Sequence, residues 1–122
     1  MADFQWQHYL KHPDAAWREF VQDPICTASH RAFRGWSPKD AWSVDTYVSQ
    51  ILVGLLTALR AGHSYPADMT EGEWDATLTE MIKGFDAWAR HWDYPADEEA
   101  ARYAKVQRSL KLLRRHFGNL WD

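Results

Sequence analysis

The chain has one cysteine, Cys26, among 122 residues. A lone thiol has no partner for an internal disulfide and cannot build a cysteine-rich zinc or iron–sulfur site. Long apolar runs are also missing. The longest, residues 51–59, is interrupted by Gly54 and Thr57, well short of the roughly 20 residues that cross a bilayer. There is no glycine-rich phosphate loop, no Gly-x-Ser-x-Gly and no His-Glu-x-x-His, so the signatures of nucleotide cradles, hydrolase elbows and zinc peptidases are absent. Period-two strand patterns are absent too, and so are internal repeats and Gly/Ser linkers. Residues 1–6 lack the basic and apolar regions of a secretory leader. His8 and His12 stand four apart, a spacing that suits a metal on a helix, but no third ligand lies near them. No metal, no cofactor and no membrane association is expected.

What the chain does have is aromatic mass. Aromatics are 15% of the residues and eight are tryptophan; each large ring buries roughly 150–250 Å². At this length one domain is expected, spanning residues 1–122: short helices or an irregular arm over 1–36, a helical core over 37–118 and a tail over 119–122. Prolines 13, 24, 38, 66 and 95 and glycines 35, 62 and 118 cut it into helix-length pieces. Residues 2–10 read equally as a short helix or an irregular arm. A short helix behind Pro13 ends at Asp23-Pro24, and a further turn over 29–34 stops at Gly35.

Ser37-Pro38 is a hydroxyl N-cap followed by proline at the first helical position. Over residues 44–61, Val44, Tyr47, Val48, Ile51, Leu52, Leu55, Ala58 and Leu59 share one helical face. This most apolar segment is expected to be the central helix, with Gly54 admitting a neighbour and Gly62 as a left-handed stop. Thr70-Glu71-Gly72-Glu73 is a capping box opening a helix over 71–91. Its stripe is Trp74, Leu78, Met81, Ile82, Phe85, Trp88 and Trp92. Asp97 caps a last helix over about 98–116 with Tyr103, Val106, Leu110, Leu113 and Phe117 on its apolar face. The fold class is therefore all-α: a compact bundle of three long helices with shorter N-terminal helices packed on it. Ile51, Leu55, Trp74, Phe85, Val106 and Leu113 are expected to be buried together.

Charge is uneven. Residues 61–100 carry two basic and ten acidic side chains, and residues 101–122 carry six basic and one acidic. Two solvated faces that attract one another account for this, or one of them is a recognition surface. The basic face of the last helix is Arg102, Lys105, Arg108, Lys111 and Arg115; if nucleic acid is bound, this face binds it. Asp40 and Asp45 flank Trp42 and suit the two helix starts; alternatively they make a small polar site beside Trp36 and Trp42. A binding site is placed on Trp36, Asp40, Trp42, Asp45, His63, Tyr65 and Asp68. Were the chain an enzyme, His63 and Asp68 would approach Asp40 or Asp45 at one end of the central helix.

Gly35-Trp36-Ser37, Asp40-Ala41-Trp42-Ser43-Val44-Asp45, His63-Ser64-Tyr65-Pro66 and Glu73-Trp74-Asp75, followed by Leu78 and Met81-Ile82, resemble a family of small uncharacterised proteins encoded by bacteriophages and prophages, especially of high-GC bacteria. The resemblance covers the middle of the chain and brings no catalytic residues. It implies a phage accessory protein in the cytoplasm of a bacterial host cell. With catalytic signatures missing, the expected function is non-catalytic binding of a host or phage protein through tryptophan and tyrosine, residues that dominate binding hot spots. Trp6, Trp36, Tyr65, Tyr94 and Trp121 are the rings expected at the surface. Homodimerisation through the same rings is open, and nucleic acid is the less favoured partner.

Overall fold

Pro24 opens a helix where the sequence reading has only a short turn over 29–34. Proline lacks the N–H that a first helical turn leaves unpaired anyway. In the structure, a computed structural model that describes residues 22–121, a helix begins at Asp23 with Pro24 in its first turn. This helix, α1 (Asp23–Arg34), stops at Gly35, whose φ of 83° is left-handed and whose N–H donates to Arg31 O. The reading of residues 2–21, including Trp6, His8 and His12, falls outside the described residues.

All regular structure among the described residues is helical. After α1 come a 3-10 turn, Pro38–Ser43, and then α2 (Val44–Arg60), α3 (Glu71–Ala89) and α4 (Glu99–His116). Short 3-10 turns at His91–Asp93, Ala96–Glu98 and Phe117–Asn119 flank α4. The chain divides into two units at Ser43/Val44, each described by itself below.

In the first unit, α1 is joined to the Pro38–Ser43 turn by an ion pair. Arg31 donates through Nε to Asp40 Oδ2 at 3.0 Å and through Nη2 to Oδ1. Asp40 also accepts the Ser37 backbone N–H at 2.7 Å. Its carboxylate thus reaches back to the start of its own turn, as an acidic residue does in a capping box.

In the second unit the long helices are antiparallel neighbours in sequence. Thr70 caps α3, accepting the Glu73 N–H at 3.1 Å. Trp74 near the start of α3 meets His116 at the end of α4, with ring centroids 5.5 Å apart. Trp88 near the end of α3 meets Tyr103 near the start of α4, also at 5.5 Å. Arg60 at the end of α2 donates to Thr79 at 3.2 Å. The central helix is α3, which packs against both α2 and α4, while those two barely meet. The core is Leu56, Trp74, Leu78, Met81, Phe85 and Val106.

This corrects the expectation that α2 is central. Leu113 is partly buried against the core, but Ile51 and Leu55 are 45% and 62% exposed. The apolar arc of α2 is wider than the surface α3 covers, so Leu56 and Ser49 turn inward and Val44, Val48, Ile51 and Leu55 stay outside. The glycine that admits a neighbour is Gly84, not Gly54. A Cβ at Gly84 would stand 1.8 Å from Ser109 Oγ and 2.6 Å from Lys105 O, whereas one at Gly54 would meet nothing within 4 Å. Gly84 thus lets α4 approach until Ser109 Oγ donates to Glu80 O at 3.3 Å. Gly62 is not left-handed; α2 ends by tightening, with Gly62 N–H donating to Leu59 O. Trp92 leaves the α3 stripe because the helix ends at Ala89, and it is 73% exposed.

Candidate functional site: an apolar groove over α3

Of the sequence-based site residues, Trp36, Asp40 and Trp42 belong to the first unit and Asp45, His63, Tyr65 and Asp68 to the second. Asp40 is committed to Arg31 and Ser37 N–H, and the Arg31 hydrogen bond holds its carboxyl below the usual carboxylate range against the opposing effect of burial. In the same unit Trp36 is half-exposed under the Arg34 guanidinium, 4.1 Å from its ring centroid, and Trp42 is exposed. In the second unit Asp45, in the first turn of α2, accepts the Trp88 indole N–H at 2.8 Å. His63 and Tyr65 lie in the loop after α2, beside two surface depressions of about 410 and 490 Å³; Asp68 lines neither. Asp45 and His63 are thus at opposite ends of a 17-residue helix, roughly 25 Å apart at about 1.5 Å per residue. The acid–base pairing of Asp45 with His63 and Asp68 is overturned.

Arg102 is a further correction. It does not belong to the basic face, for it is buried. Its guanidinium donates to Pro95 O at 3.0 Å, His91 O at 3.4 Å and Glu98 Oε2 at 3.3 Å. It also lies 4.9 Å from the Tyr94 ring centroid. It holds the α3–α4 connection. Lys105, Arg108, Lys111 and Arg115 are exposed as expected, and so is Arg114. No ion pair joins any of them to the acidic side chains of α3 among the described residues. Mutual attraction of the two faces is therefore not realised as contacts.

What the tertiary structure assembles instead is a groove of about 430 Å³. Val44 and Val48 of α2 form one wall, Phe85 and Trp88 of α3 the floor, and Tyr103 and Leu110 of α4 the other wall. The lining is almost wholly apolar; Asp45, Ser49 and Gln107 are its polar members. Trp88 organises one end. Its ring stacks on His91 at 4.3 Å and meets Tyr103 edge-on, while its N–H is spent on Asp45. His91 Nδ1 in turn lies 2.6 Å from Trp88 O.

The sequence reading has Trp88 on the apolar stripe of α3 and Tyr103 and Leu110 on the apolar face of α4, and it misses the groove. A signal was available: Tyr103, Leu110 and Phe117 recur every seven residues. That places them on a stripe offset from the buried Arg102, Val106 and Ser109. All three are exposed, by 52%, 42% and 72%.

No group of three or more metal-ligating side chains clusters among the described residues. No helix there is long and apolar enough to cross a membrane. Compared with known proteins, the chain matches no family model, no curated protein and no solved structure.

Proposed function

We propose that this chain is a non-catalytic protein-binding module whose groove receives a helix from a partner protein. The observation that carries the reading is an exposed apolar stripe on α2, two of whose residues, Val44 and Val48, line the groove. Val44, Val48, Ile51 and Leu55 follow one another at helical spacing along α2, and all are between 45% and 62% exposed. An apolar slot between two helices over a third is the geometry of helix-in-groove recognition. Leaving that much contiguous apolar surface in water is unfavourable by roughly 25 cal/mol per Å², and patches of this kind mark interaction sites. In the same unit as the groove, exposed Tyr65, Tyr94 and Trp121 add rings suited to binding hot spots. The resemblance to phage and prophage proteins supports reading the partner as a host or phage protein in the bacterial cytoplasm.

A photo-crosslinking residue placed at Val48, and separately at Lys83 on the opposite face of α3, tests this in bacterial cells. A discrete adduct from position 48 and none from position 83 is expected. Equal adducts from both positions, or none from 48, would refute the assignment.

A further inference from the structure

We infer that the groove's occupant is an amphipathic helix bearing acidic side chains along the edge that meets α4; this rests on the groove being a helix-binding site. Two observations point to acidity. First, the α4 wall passes directly from apolar to basic. Leu110 and Gln107 line both the groove and an adjoining surface depression formed with Arg108, Lys111 and Arg114. Second, none of those three cations is ion-paired among the described residues, so their charge is free for a partner. The α2 wall presents Val44, Val48 and Ser49, and its one carboxylate, Asp45, is occupied by Trp88. A helix lying in the groove would therefore meet apolar side chains below, a neutral edge toward α2 and a cationic edge toward α4.

Among the described residues, a second copy of this chain supplies no such helix. Its acidic helix is α3, carrying Glu71, Glu73, Asp75, Glu80 and Asp86, and the apolar side of α3 is already buried through Trp74, Leu78, Met81 and Phe85. Nucleic acid would satisfy the cations but leave the apolar walls bare. An acidic amphipathic helix satisfies both.

The test uses the full chain and two synthetic helical peptides of about 18 residues, roughly 27 Å long. Both carry leucines at i, i+4, i+7 and i+11. One has glutamates flanking that stripe on one side and the other has lysines there. The glutamate peptide is expected to bind at least about five-fold tighter than the lysine peptide, as two or three exposed ion pairs allow. The preference should collapse at about 0.5 M ionic strength, where screening acts within a few Å, and it should invert in the Lys111→Glu/Arg114→Glu variant. Val48→Asp, at an exposed position, should abolish binding of both peptides while circular dichroism stays helical. Equal binding of the two peptides, lost in Val48→Asp, would leave the groove reading standing and sink the acidic partner. No binding of either peptide would sink both. A 20-base-pair DNA duplex that displaces the glutamate peptide would reassign the basic edge to nucleic acid. A concentration-dependent dimer that Val48→Asp makes monomeric would reassign the groove to a second copy.

Discussion

The Trp88 indole N–H donates to Asp45 Oδ2 at 2.8 Å, tying the end of α3 to the first turn of α2 across 43 positions of sequence. The bond is solvent-accessible, so its net value is that of an ordinary hydrogen bond, about 1 kcal/mol. Trp88→Phe keeps an aromatic ring and removes the donor. A urea-unfolding cycle of Trp88→Phe with Asp45→Ala should show a coupling of about 0.5–1.5 kcal/mol. Simple additivity would mean the bond contributes nothing in solution.

Gly84→Ala and Gly54→Ala should move stability in opposite directions. At position 84 the new methyl meets the Lys105 backbone oxygen, which side-chain rotation cannot relieve. α3 and α4 must separate, at a cost of about 1–3 kcal/mol. At position 54 there is open space within an α-helix, so the exchange should stabilise by about 0.5–1 kcal/mol. Removing the Ser109 hydroxyl, in Gly84→Ala/Ser109→Ala, should recover only part of the loss. Chemical unfolding midpoints read all three, and full recovery would mean the backbone contact does not matter.

The Arg31–Asp40 pair should make the first unit acid-sensitive. Asp40 is held below its ordinary value, chiefly by the Arg31 hydrogen bond. Its contribution is therefore complete above the unfolded carboxylate value of about 3.9. It is lost as pH falls through that value toward the depressed folded one. Arg31→Gln should raise the Asp40 titration midpoint, measured from its carboxyl carbon by NMR, and remove this part of the acid dependence. An unchanged midpoint would contradict the pairing.

Arg102 and Arg108 lie six residues apart on one helix but should behave differently. Arg102→Met leaves the Pro95 and His91 carbonyls without their donor and should cost about 2–3 kcal/mol. Arg108→Met changes an exposed side chain and should stay within about 0.5 kcal/mol. Thermal melts of the two variants separate a structural arginine from a surface one.

The candidate site is only half-legible in the sequence because its parts read individually as ordinary residues of apolar helix faces. Trp88 reads as one more ring on the α3 stripe, and nothing local announces that its N–H finds Asp45 on another helix. Asp40 and Asp45 read as neighbours beside Trp42, yet each is taken up by a different partner, Arg31 and Trp88.

Local chemistry determined where the helices of the second unit run. Thr70 caps α3 and Pro95 breaks the chain ahead of α4 because capping and backbone restriction act within a few residues. Periodicity likewise determined which side of each helix is apolar. The tertiary structure alone decided what covers those sides. Gly84 and Ser109 bring α4 onto α3, α3 rather than the more apolar α2 becomes central, and the remainder of α2's wide apolar arc is left exposed, with Val44 and Val48 walling an open groove. The physical reason is that a hydrophobic pattern records a preference to leave water, whereas burial depends on which neighbours approach closely enough to displace it.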